Sequence, residues 1–497
     1  MKRELYLGRV ALRPNKASVQ GSKVTMVSKD FYCISNYDRM RPFLMSLVSS
    51  ADHWMFVSST GALTAGRGDA DAALFPYYTE DKIHDSAQIT GSKMVIIAQQ
   101  DGKKFLWEPF SERYRGIYDI QRNLYKSFLG NELIFEETSK DLALTFRYSW
   151  ANSERFGLIR KAALSSSRKT QVRIQLLDGI QNVLPSGLGS QLQLEKSVLV
   201  DAYKKNELLS ETGLALFTLS SIIVDRPEPA ESLKATTVWS LGFNDAIRLL
   251  SSVQLDRFRK GMPLREETDI RAERGAYFVA AEFTLHPGEQ KDWTMAADVN
   301  QGSWRVAELE ELLRKPGALA KLLDADIQRG TEELRRLVGS ADGTQKTADT
   351  LGNARHFNNV LFNIMRGGVF RDGYIVDGRD LHDFVAHASH ALARQHANFF
   401  QKLEKEITYF EMVRRVSQTG DANLERLCRE YLPLTFSRRH GDASRPWNRF
   451  SIPGRNPDGS RILDYAGNWR DIFQNWEALA ISFPGFVSGM ICRFVNA

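Results

Sequence analysis

The spacing of the apolar residues changes once along this chain, near residue 300, and that change restricts what the chain can fold into. Before it, apolar residues alternate with other residues, as at Leu142, Leu144, Phe146 and Tyr148. A two-residue period is typical of strands with one buried face. Many segments of this kind, separated by turn signals, indicate a large antiparallel β-sandwich over about the first 300 residues.

Two hairpins are predicted within this β region. The segment 94–107 has Asp101-Gly102 near its middle, a dipeptide that is typical of tight hairpin turns. The segment 277–299 has its turn signal at 286–289, and its two halves are expected to pair in the same way. Residues 246–255 are an exception to the β pattern, because their apolar spacing favours a helix.

After residue 300 the apolar residues follow the 3.6-residue period of amphipathic helices. Apolar stripes at 354–364 and 384–403 are clear examples of this period. The pattern predicts three parts: a β domain at 1–300, a helical linker at 301–345 and a helical domain at 346–497. The predicted fold class is therefore multidomain, β first and then α.

The composition is that of an ordinary globular protein, with 43% hydrophobic and 25% charged residues among 497. No stretch approaches the ~20 apolar residues of a membrane span, and no apolar signal core follows Met1–Leu5. Three cysteines, Cys33, Cys428 and Cys492, are far apart and odd in number, which argues against a disulfide framework. We expect a cytoplasmic protein without a membrane partner and without a cofactor.

The net charge of +6 is small for a chain of this length, but basic and aromatic residues concentrate between 437 and 467. Such a segment can form a nucleic-acid groove, or a sugar or phosphate site. A solvated loop with scattered arginines is favoured over either. We expect no nucleic-acid partner. The candidate anion-binding residues of this segment are Arg438, Arg439, Arg445 and Arg449.

The densest group of metal-ligand side chains is His382, Asp383, His387, His390 and His396. A metal site normally needs several ligands at a fixed spacing, and no such spacing occurs here. The pattern favours a polar helix face, and no metal site is expected.

A helix is predicted to begin at Asn468, a good N-cap residue, and to end before Pro484. Ser482-Phe483-Pro484 then predicts the start of a further helix, because proline is favoured in a first helical turn. The first of these helices contains the side chains with the most informative chemistry.

Arg470 and Gln474 are four residues apart and share one face of this helix, with Asp471 beside them. A guanidinium, a carboxylate and an amide grouped in this way can hydrogen-bond several hydroxyls at once. Trp469 and Trp476 supply apolar rings of the kind that sugar rings stack on. From the residues alone, a simpler interpretation is favoured: Asp471 complements the helix dipole and Trp476 belongs to the core.

The segment from Trp469 to Pro484 resembles the glycoside phosphorylases that act on cellobiose and chitobiose. Their helical barrel carries Phe-Arg-Asp-Gln-Leu-Gln-Asp, followed by Ala-Leu and then Pro. The residues identical to that pattern are Arg470, Asp471, Gln474, Ala478, Leu479 and Pro484. The resemblance implies that Arg470 and Asp471 bind the non-reducing sugar at the donor subsite.

The same resemblance implies a β-supersandwich, a helical linker and an (α/α)6 barrel with its active site at one mouth. Two departures matter. The general acid of that family is an Asp in a Trp-Asn-Asp triplet, whereas the nearest segment here, Trp447-Asn448-Arg449, ends in Arg. Only 26 residues follow Asp471, so the barrel is expected to be incomplete, with the remainder encoded separately, or the chain to be a homodimer.

These observations predict a glycoside phosphorylase-like or inverting glycosidase-like protein that acts on a glucan or related oligosaccharide. In phosphorolysis, inorganic phosphate would be the co-substrate. The chain alone is expected to be inactive, because it lacks the general acid. The alternative is a non-catalytic carbohydrate-binding or scaffolding protein; a nucleic-acid binder is less favoured.

Overall fold

The computed structural model describes residues 5–13, 15–221, 223, 233–437, 451–452, 455–456, 462–463 and 469–496. The chain divides into two units between Thr331 and Glu332. This division falls inside a long helix and within the predicted helical linker. The predicted domain limits at residues 300 and 345 stay predictions.

The first unit consists mainly of strands. In chain order they are β1 (Tyr6–Leu7), β2 (Val10–Ala11), β3 (Gln20–Met26), β4 (Lys29–Ser35), β5 (Leu44–Leu47), β6 (His53–Ser58), β7 (Leu63–Arg67), β8 (Ala73–Phe75), β9 (Gly91–Gln100), β10 (Lys103–Trp107), β11 (Ile120–Ser127), β12 (Leu133–Ser139), β13 (Leu144–Ser153), β14 (Gly157–Ser166), β15 (Val172–Val183), β16 (Lys204–Leu209), β17 (Leu214–Leu219), β18 (Lys234–Leu241), β19 (Ile247–Leu249), β20 (Asp269–Arg271), β21 (Gly275–Leu285) and β22 (Gln290–Gly302).

Helices are fewer in this unit. They are α1 (Glu80–Asp85), α2 (Ser190–Glu195), α3 (Ser197–Tyr203), α4 (Leu255–Arg259), α5 (Ser303–Leu313) and α6 (Pro316–Ser340), the last of which continues into the second unit. Short 3-10 turns lie at Tyr37–Arg39 and Ser86–Gln88.

The strands form three main sheets, all with antiparallel neighbours. An eleven-stranded sheet has the order β20-β16-β17-β18-β22-β14-β13-β12-β11-β4-β3. A five-stranded sheet has the order β10-β9-β15-β21-β19, and a four-stranded sheet has the order β5-β6-β7-β8. The predicted large antiparallel β-sandwich is confirmed.

One apolar core lies between the inner faces of these sheets. The eleven-stranded sheet contributes Leu144 and Phe146, the five-stranded sheet Ile174 and Val279, and the four-stranded sheet Val57. Along β13 the alternation noted in the sequence is the alternation of buried and partly exposed side chains. Each fully buried large apolar side chain contributes about 1.5–3 kcal/mol, so this core is what holds the sheets together.

The hairpin around Asp101-Gly102 is confirmed. Strands β9 and β10 pair so that Ala98 lies opposite Phe105. Asp101 and Gly102 have φ values of 50° and 77°, the left-handed backbone that a two-residue hairpin turn of this kind requires.

The second predicted hairpin is wrong. Strands β21 and β22 follow one another in the chain, but β21 pairs with β15 and β19, whereas β22 pairs with β14 and β18. The loop between them crosses from one sheet to the other. Its Gly288 N–H donates to the carbonyl of Ser166 at 3.1 Å, so the loop is tied to the end of β14.

The helix predicted at 246–255 is also wrong. Ile247–Leu249 is an edge strand of the five-stranded sheet, with Leu249 opposite Phe278, and only Leu255–Arg259 is helical. Ala246, Leu249 and Leu250 have helical spacing. They are buried, however, at the edge of the sheet and in the turn that follows the strand. Three apolar positions are too few to distinguish the two periods.

The helices α5 and α6 pack on the outer face of the eleven-stranded sheet. Leu309 and Leu319 lie in one cluster with Ile159 and Trp239. The backbone N–H of Arg155 donates to the carboxylate of Asp326 at 3.1 Å. The helical period predicted after residue 300 is therefore confirmed for this part of the chain.

The second unit is mainly helical. After α6 its elements are α7 (Thr350–Gly367), β23 (Val369–Phe370), β24 (Ile375–Asp377), α8 (Gly378–Ala388), α9 (His390–Gln395), α10 (Ala397–Gln401), β25 (Glu406–Thr408), α11 (Tyr409–Ser417), α12 (Ala422–Glu430), β26 (Leu434–Thr435), a 3-10 turn (Trp469–Asp471), α13 (Ile472–Ser482), a 3-10 turn (Pro484–Phe486) and α14 (Val487–Val495). No helix among the described residues combines the length and apolarity needed to span a membrane.

Two sequence expectations for this unit need correction. The region is not helical throughout, because β23 pairs with β26 and β24 with β25. The long apolar stripe at 384–403 does not form one helix. Ser389 is extended, with φ −156° and ψ 100°, and its side chain accepts from the N–H of Leu392. The chain therefore ends one helix and begins another at this residue.

Candidate functional site

The segment that carries the predicted sugar-binding residues begins with a 3-10 turn, Trp469–Asp471, and continues as α13. The α-helix thus begins at Ile472, later than predicted, and the expected N-cap Asn468 lies outside the described residues. The predicted end is confirmed: α13 ends at Ser482, and Pro484 starts the turn that leads into α14.

Arg470 and Asp471 form an ion pair at the start of this helix. Nε and Nη2 of Arg470 each donate to one carboxylate oxygen of Asp471 at 3.1 Å. The carboxylate makes no side-chain capping bond to α13, because both of its oxygens point at the guanidinium. These hydrogen bonds raise the pKa of Arg470.

This pair is accessible to solvent. The side chain of Arg470 is 71% exposed and that of Asp471 is 40% exposed. Donors and acceptors of opposite charge are therefore held next to each other at an exposed helix start. Such an arrangement can donate hydrogen bonds to one sugar hydroxyl and accept them from another.

The other predicted binding residues divide into two groups. Gln474 is exposed on α13, as a binding residue must be, and Phe473 beside it is 64% exposed. Trp476 is only 4% exposed, and its indole N–H donates to the carbonyl of Gly367 at 2.8 Å. Its ring packs in the core of the helical unit, so the expected stacking role does not fit its burial. The side chain of Trp469 lies outside what the structure describes.

The four arginines expected to bind anions, Arg438, Arg439, Arg445 and Arg449, lie outside the described residues. Most of the segment 437–467 lies outside the described residues as well. The anion-binding role of these arginines stays a prediction.

Two residues of the histidine group have separate carboxylate partners. His396 Nε2 lies 2.9 Å from a carboxylate oxygen of Asp421, and His382 Nδ1 lies 3.1 Å from that of Asp383. Among the described residues, no three histidine, cysteine or acidic side chains are grouped closely enough to hold a metal ion.

The sequence interpretation missed the packing of α13 against α7. Gly367, the last residue of α7, lies so close to α13 that a Cβ at this position would be 2.7 Å from the carbonyl oxygen of Asn475. The helices α7 and α13 are therefore packing partners, although about a hundred residues separate them in the chain.

After α7 the chain leaves and returns at one place. Val369 pairs with Thr435, and Phe370 pairs with Leu434, which forms a two-stranded neck. Everything from Arg371 to Pro433 lies beyond this neck. Such an arrangement is that of a segment inserted into the helical unit after α7.

Comparison with known proteins agrees with this boundary. Residues 370–433 match the model of the glycoside hydrolase family 149 insertion domain 1. The segment counted with the barrel in the sequence interpretation is thus similar to an insertion domain. Gly367-Gly368 and Pro433 mark its ends in the sequence and could have indicated it.

Solved structures show only weak likeness. A bacterial glucoamylase complexed with acarbose is 10% identical, with 80% of this chain and 54% of that chain covered and a TM-score of 0.39. A candidate kojibiose phosphorylase from the human microbiome is 8% identical, with 86% and 46% covered and a TM-score of 0.30. This chain therefore spans about half the length of either structure, and TM-scores this low establish no common fold. No curated protein matches the chain.

The match relates the inserted segment to a domain found in a glycoside hydrolase family, and so to carbohydrate-active proteins. It does not point specifically to the phosphorylases of cellobiose. The β-sandwich with a helical unit is observed, whereas a complete or incomplete (α/α)6 barrel stays a prediction.

Proposed function

We propose that this chain is a glycoside phosphorylase-like or inverting glycosidase-like protein that binds a glucan or a related oligosaccharide. The observation that carries the proposal is the match of residues 370–433 to a glycoside hydrolase insertion domain, which lies in the chain after α7 and before α13. The helix α13 is the one that follows Arg470 and Asp471, the two residues resembling the sugar-binding pair of the phosphorylases.

In this proposal Arg470 and Asp471 hold hydroxyls of the non-reducing sugar. The guanidinium donates and the ionised carboxylate accepts, and their ion pair fixes both groups before the sugar arrives. Gln474, exposed in the first turn of α13 just after this pair, supplies an amide for a neighbouring hydroxyl. These are binding roles, and the proposal assigns proton transfer to none of them.

Either of two nucleophiles completes such a reaction. A general acid protonates the glycosidic oxygen, while phosphate or an activated water attacks the opposite face of the sugar. The sequence contains no Trp-Asn-Asp triplet to supply the acid. We therefore expect binding of the oligosaccharide by this chain without turnover, with or without inorganic phosphate.

The test combines a binding measurement with an activity assay. Calorimetry on the 497-residue chain with a panel of α- and β-linked glucan oligosaccharides should find at least one ligand. Arg470→Ala should weaken its binding by roughly tenfold or more, since a charge-assisted hydrogen bond to a ligand contributes about 1.5–3 kcal/mol. Arg335→Ala is the matched control, because Arg335 is a half-exposed arginine paired with Glu332 on α6. Absence of any oligosaccharide ligand, or equal losses in both variants, would contradict the proposal.

A non-catalytic carbohydrate-binding or scaffolding protein is the second candidate, favoured by the missing Trp-Asn-Asp triplet. Both candidates predict oligosaccharide binding, and both predict no turnover by this chain alone, so only an observed turnover distinguishes them. Turnover at ordinary enzymatic rates of roughly 1–1000 per second would exclude the non-catalytic candidate and require an acid among the residues present.

A further inference from the structure

A cleft of about 490 Å³ lies on the inserted segment. None of its lining residues belongs to α13. Its lining residues come from the consecutive helices α8, α9 and α10 and are His382, Ala386, His390, Ala393, Arg394 and Ala397. All six belong to the segment that matches the insertion domain. This volume is within the range of small-ligand sites, about 300–1000 Å³.

The lining combines hydrogen-bond donors with a smooth apolar base. Three alanines leave room in the cleft, and all three polar side chains are imidazole or guanidinium groups. Arg394 donates through Nε to the carbonyl of His390 at 3.3 Å, which leaves its two terminal nitrogens for other acceptors. No carboxylate pairs with Arg394 or His390 in the part of the chain that the structure describes.

One of the three polar groups is held in place by its neighbours. His382 Nδ1 lies 3.1 Å from the carboxylate of Asp383, and its ring packs edge-on against Phe400 with 5.0 Å between centroids. A carboxylate that accepts from Nδ1 leaves Nε2 as the second polar atom of this ring. The imidazole is therefore oriented rather than freely rotating.

The donor set excludes two kinds of ligand. A metal ion needs more ligands than two histidines, and no group of three metal-ligating residues occurs among the described residues. A neutral sugar usually stacks on an aromatic ring, and the lining of this cleft contains no tryptophan, tyrosine or phenylalanine. An oxyanion fits better, because guanidinium groups bind phosphate oxygens through parallel N–H donors, and the lining contains Arg394 but no acidic side chain.

We propose that this cleft binds a phosphate group, either inorganic phosphate or the phosphate of a small phosphorylated sugar. Arg394 makes the principal contact, and His390 donates an N–H to one of the remaining oxygens. The cleft shares no lining residue with the oligosaccharide site proposed above and its occupation requires no turnover, so the two proposals can fail independently.

Calorimetry on the full 497-residue chain tests this site with three probes: inorganic phosphate, glucose 1-phosphate and glucose. We expect Kd values below about 1 mM for at least one phosphate probe, and no detectable binding of glucose. Arg394→Gln should weaken the binding of the phosphate probe by roughly tenfold or more. His390→Gln should weaken this binding by a smaller factor. Arg379→Gln is the matched control, because Arg379 is an exposed arginine of α8 that does not line the cleft.

The two phosphate probes distinguish the sources. Similar affinities would support a site for inorganic phosphate, whereas tighter binding of glucose 1-phosphate would support a sugar phosphate. Failure of both probes to bind with a Kd below about 1 mM would overturn the proposal. Equal effects of Arg394→Gln and Arg379→Gln would overturn it too, since they would show a general effect of charge. Arg394 is exposed, so the variant is expected to fold, and circular dichroism checks this.

Discussion

Arg160 and Asp178 form a two-pronged ion pair across the β-sandwich, with Nη1 and Nη2 of the arginine 2.6 and 2.7 Å from the two carboxylate oxygens. Arg160 lies on β14 of the eleven-stranded sheet and Asp178 on β15 of the five-stranded sheet. Both side chains are buried, with 1% and 0% exposure. Trp293 donates to the same carboxylate at 2.6 Å. The pair therefore fixes one sheet relative to the other.

Asp178→Ala should destabilise the first unit by about 3–5 kcal/mol, because it leaves the charge of Arg160 buried without its partner. Urea unfolding followed by tryptophan fluorescence measures this loss. The control is Glu282→Ala, which breaks an ion pair with Arg173 whose side chains are 62% and 39% exposed. It should cost about 1 kcal/mol or less. Similar losses in the two variants would contradict the role given to the buried pair.

A second buried carboxylate, that of Glu108, makes the stability of the sandwich depend on pH. Glu108 is 3% exposed and is bound by Arg259, at 2.9 and 3.0 Å, and by Lys93. Burial alone would raise the pKa of Glu108, but the hydrogen bonds and charges of Arg259 and Lys93 outweigh it and lower the pKa below the usual 4.5. Because the folded-state pKa is the lower one, this stabilisation is present above pH 4.5 and is lost as the pH falls through the folded-state value.

Glu108→Gln should therefore reduce the free energy of unfolding near neutral pH by several kcal/mol, and it should also flatten the loss of stability on acidification. Unfolding free energies measured from pH 7 downward, for the variant and the original chain, give both quantities. Glu282→Gln serves as the control for loss of an exposed carboxylate. Parallel acid limbs for Glu108→Gln and the original chain would contradict the prediction.

The close contact of α7 with α13 gives a prediction for the second unit. In Gly367→Ala the new Cβ would lie 2.7–2.9 Å from backbone and Cβ atoms of Asn475, too close without a backbone shift. We expect a loss of about 1–3 kcal/mol. Gly317→Ala on α6 is the matched control, because nothing lies within 4 Å of its Cβ position, and it should be neutral or stabilise by up to about 1 kcal/mol. Thermal unfolding compares the two, and a neutral Gly367→Ala would show that the helices separate easily.

The strands could be predicted from the sequence far better than their pairing. Leu144, Phe146 and Tyr148 alternate because one face of β13 is buried, and that alternation is visible in the sequence. The same kind of pattern in β21 and β22 shows only that each strand has a buried face. Whether they share a sheet depends on contacts with β15 and β14, which lie about a hundred residues earlier. Local pattern contains no information about such partners.

The candidate site shows a similar limit. A tryptophan near a polar pair is compatible with sugar stacking and with core packing, and the contact of Trp476 with Gly367 decides for the core. The inserted segment was missed because amphipathic helices have the same period in an insertion and in a barrel. The cleft of Arg394 was missed because its lining residues belong to three short helices that the sequence pattern merges into one stripe.

The basic segment that contains Arg438 and Arg439 has the composition of a nucleic-acid groove. Neutralised phosphates release counterions, so binding of this kind weakens steeply as salt rises. A net charge of +6 over 497 residues leaves little long-range attraction once salt screens it at about 8 Å. We therefore expect no sub-micromolar binding of single- or double-stranded DNA or RNA at physiological salt in an anisotropy titration. Tight binding at that salt, lost in Arg438→Ala with Arg439→Ala but kept in Arg379→Gln, would instead favour a nucleic-acid groove over a sugar or phosphate site.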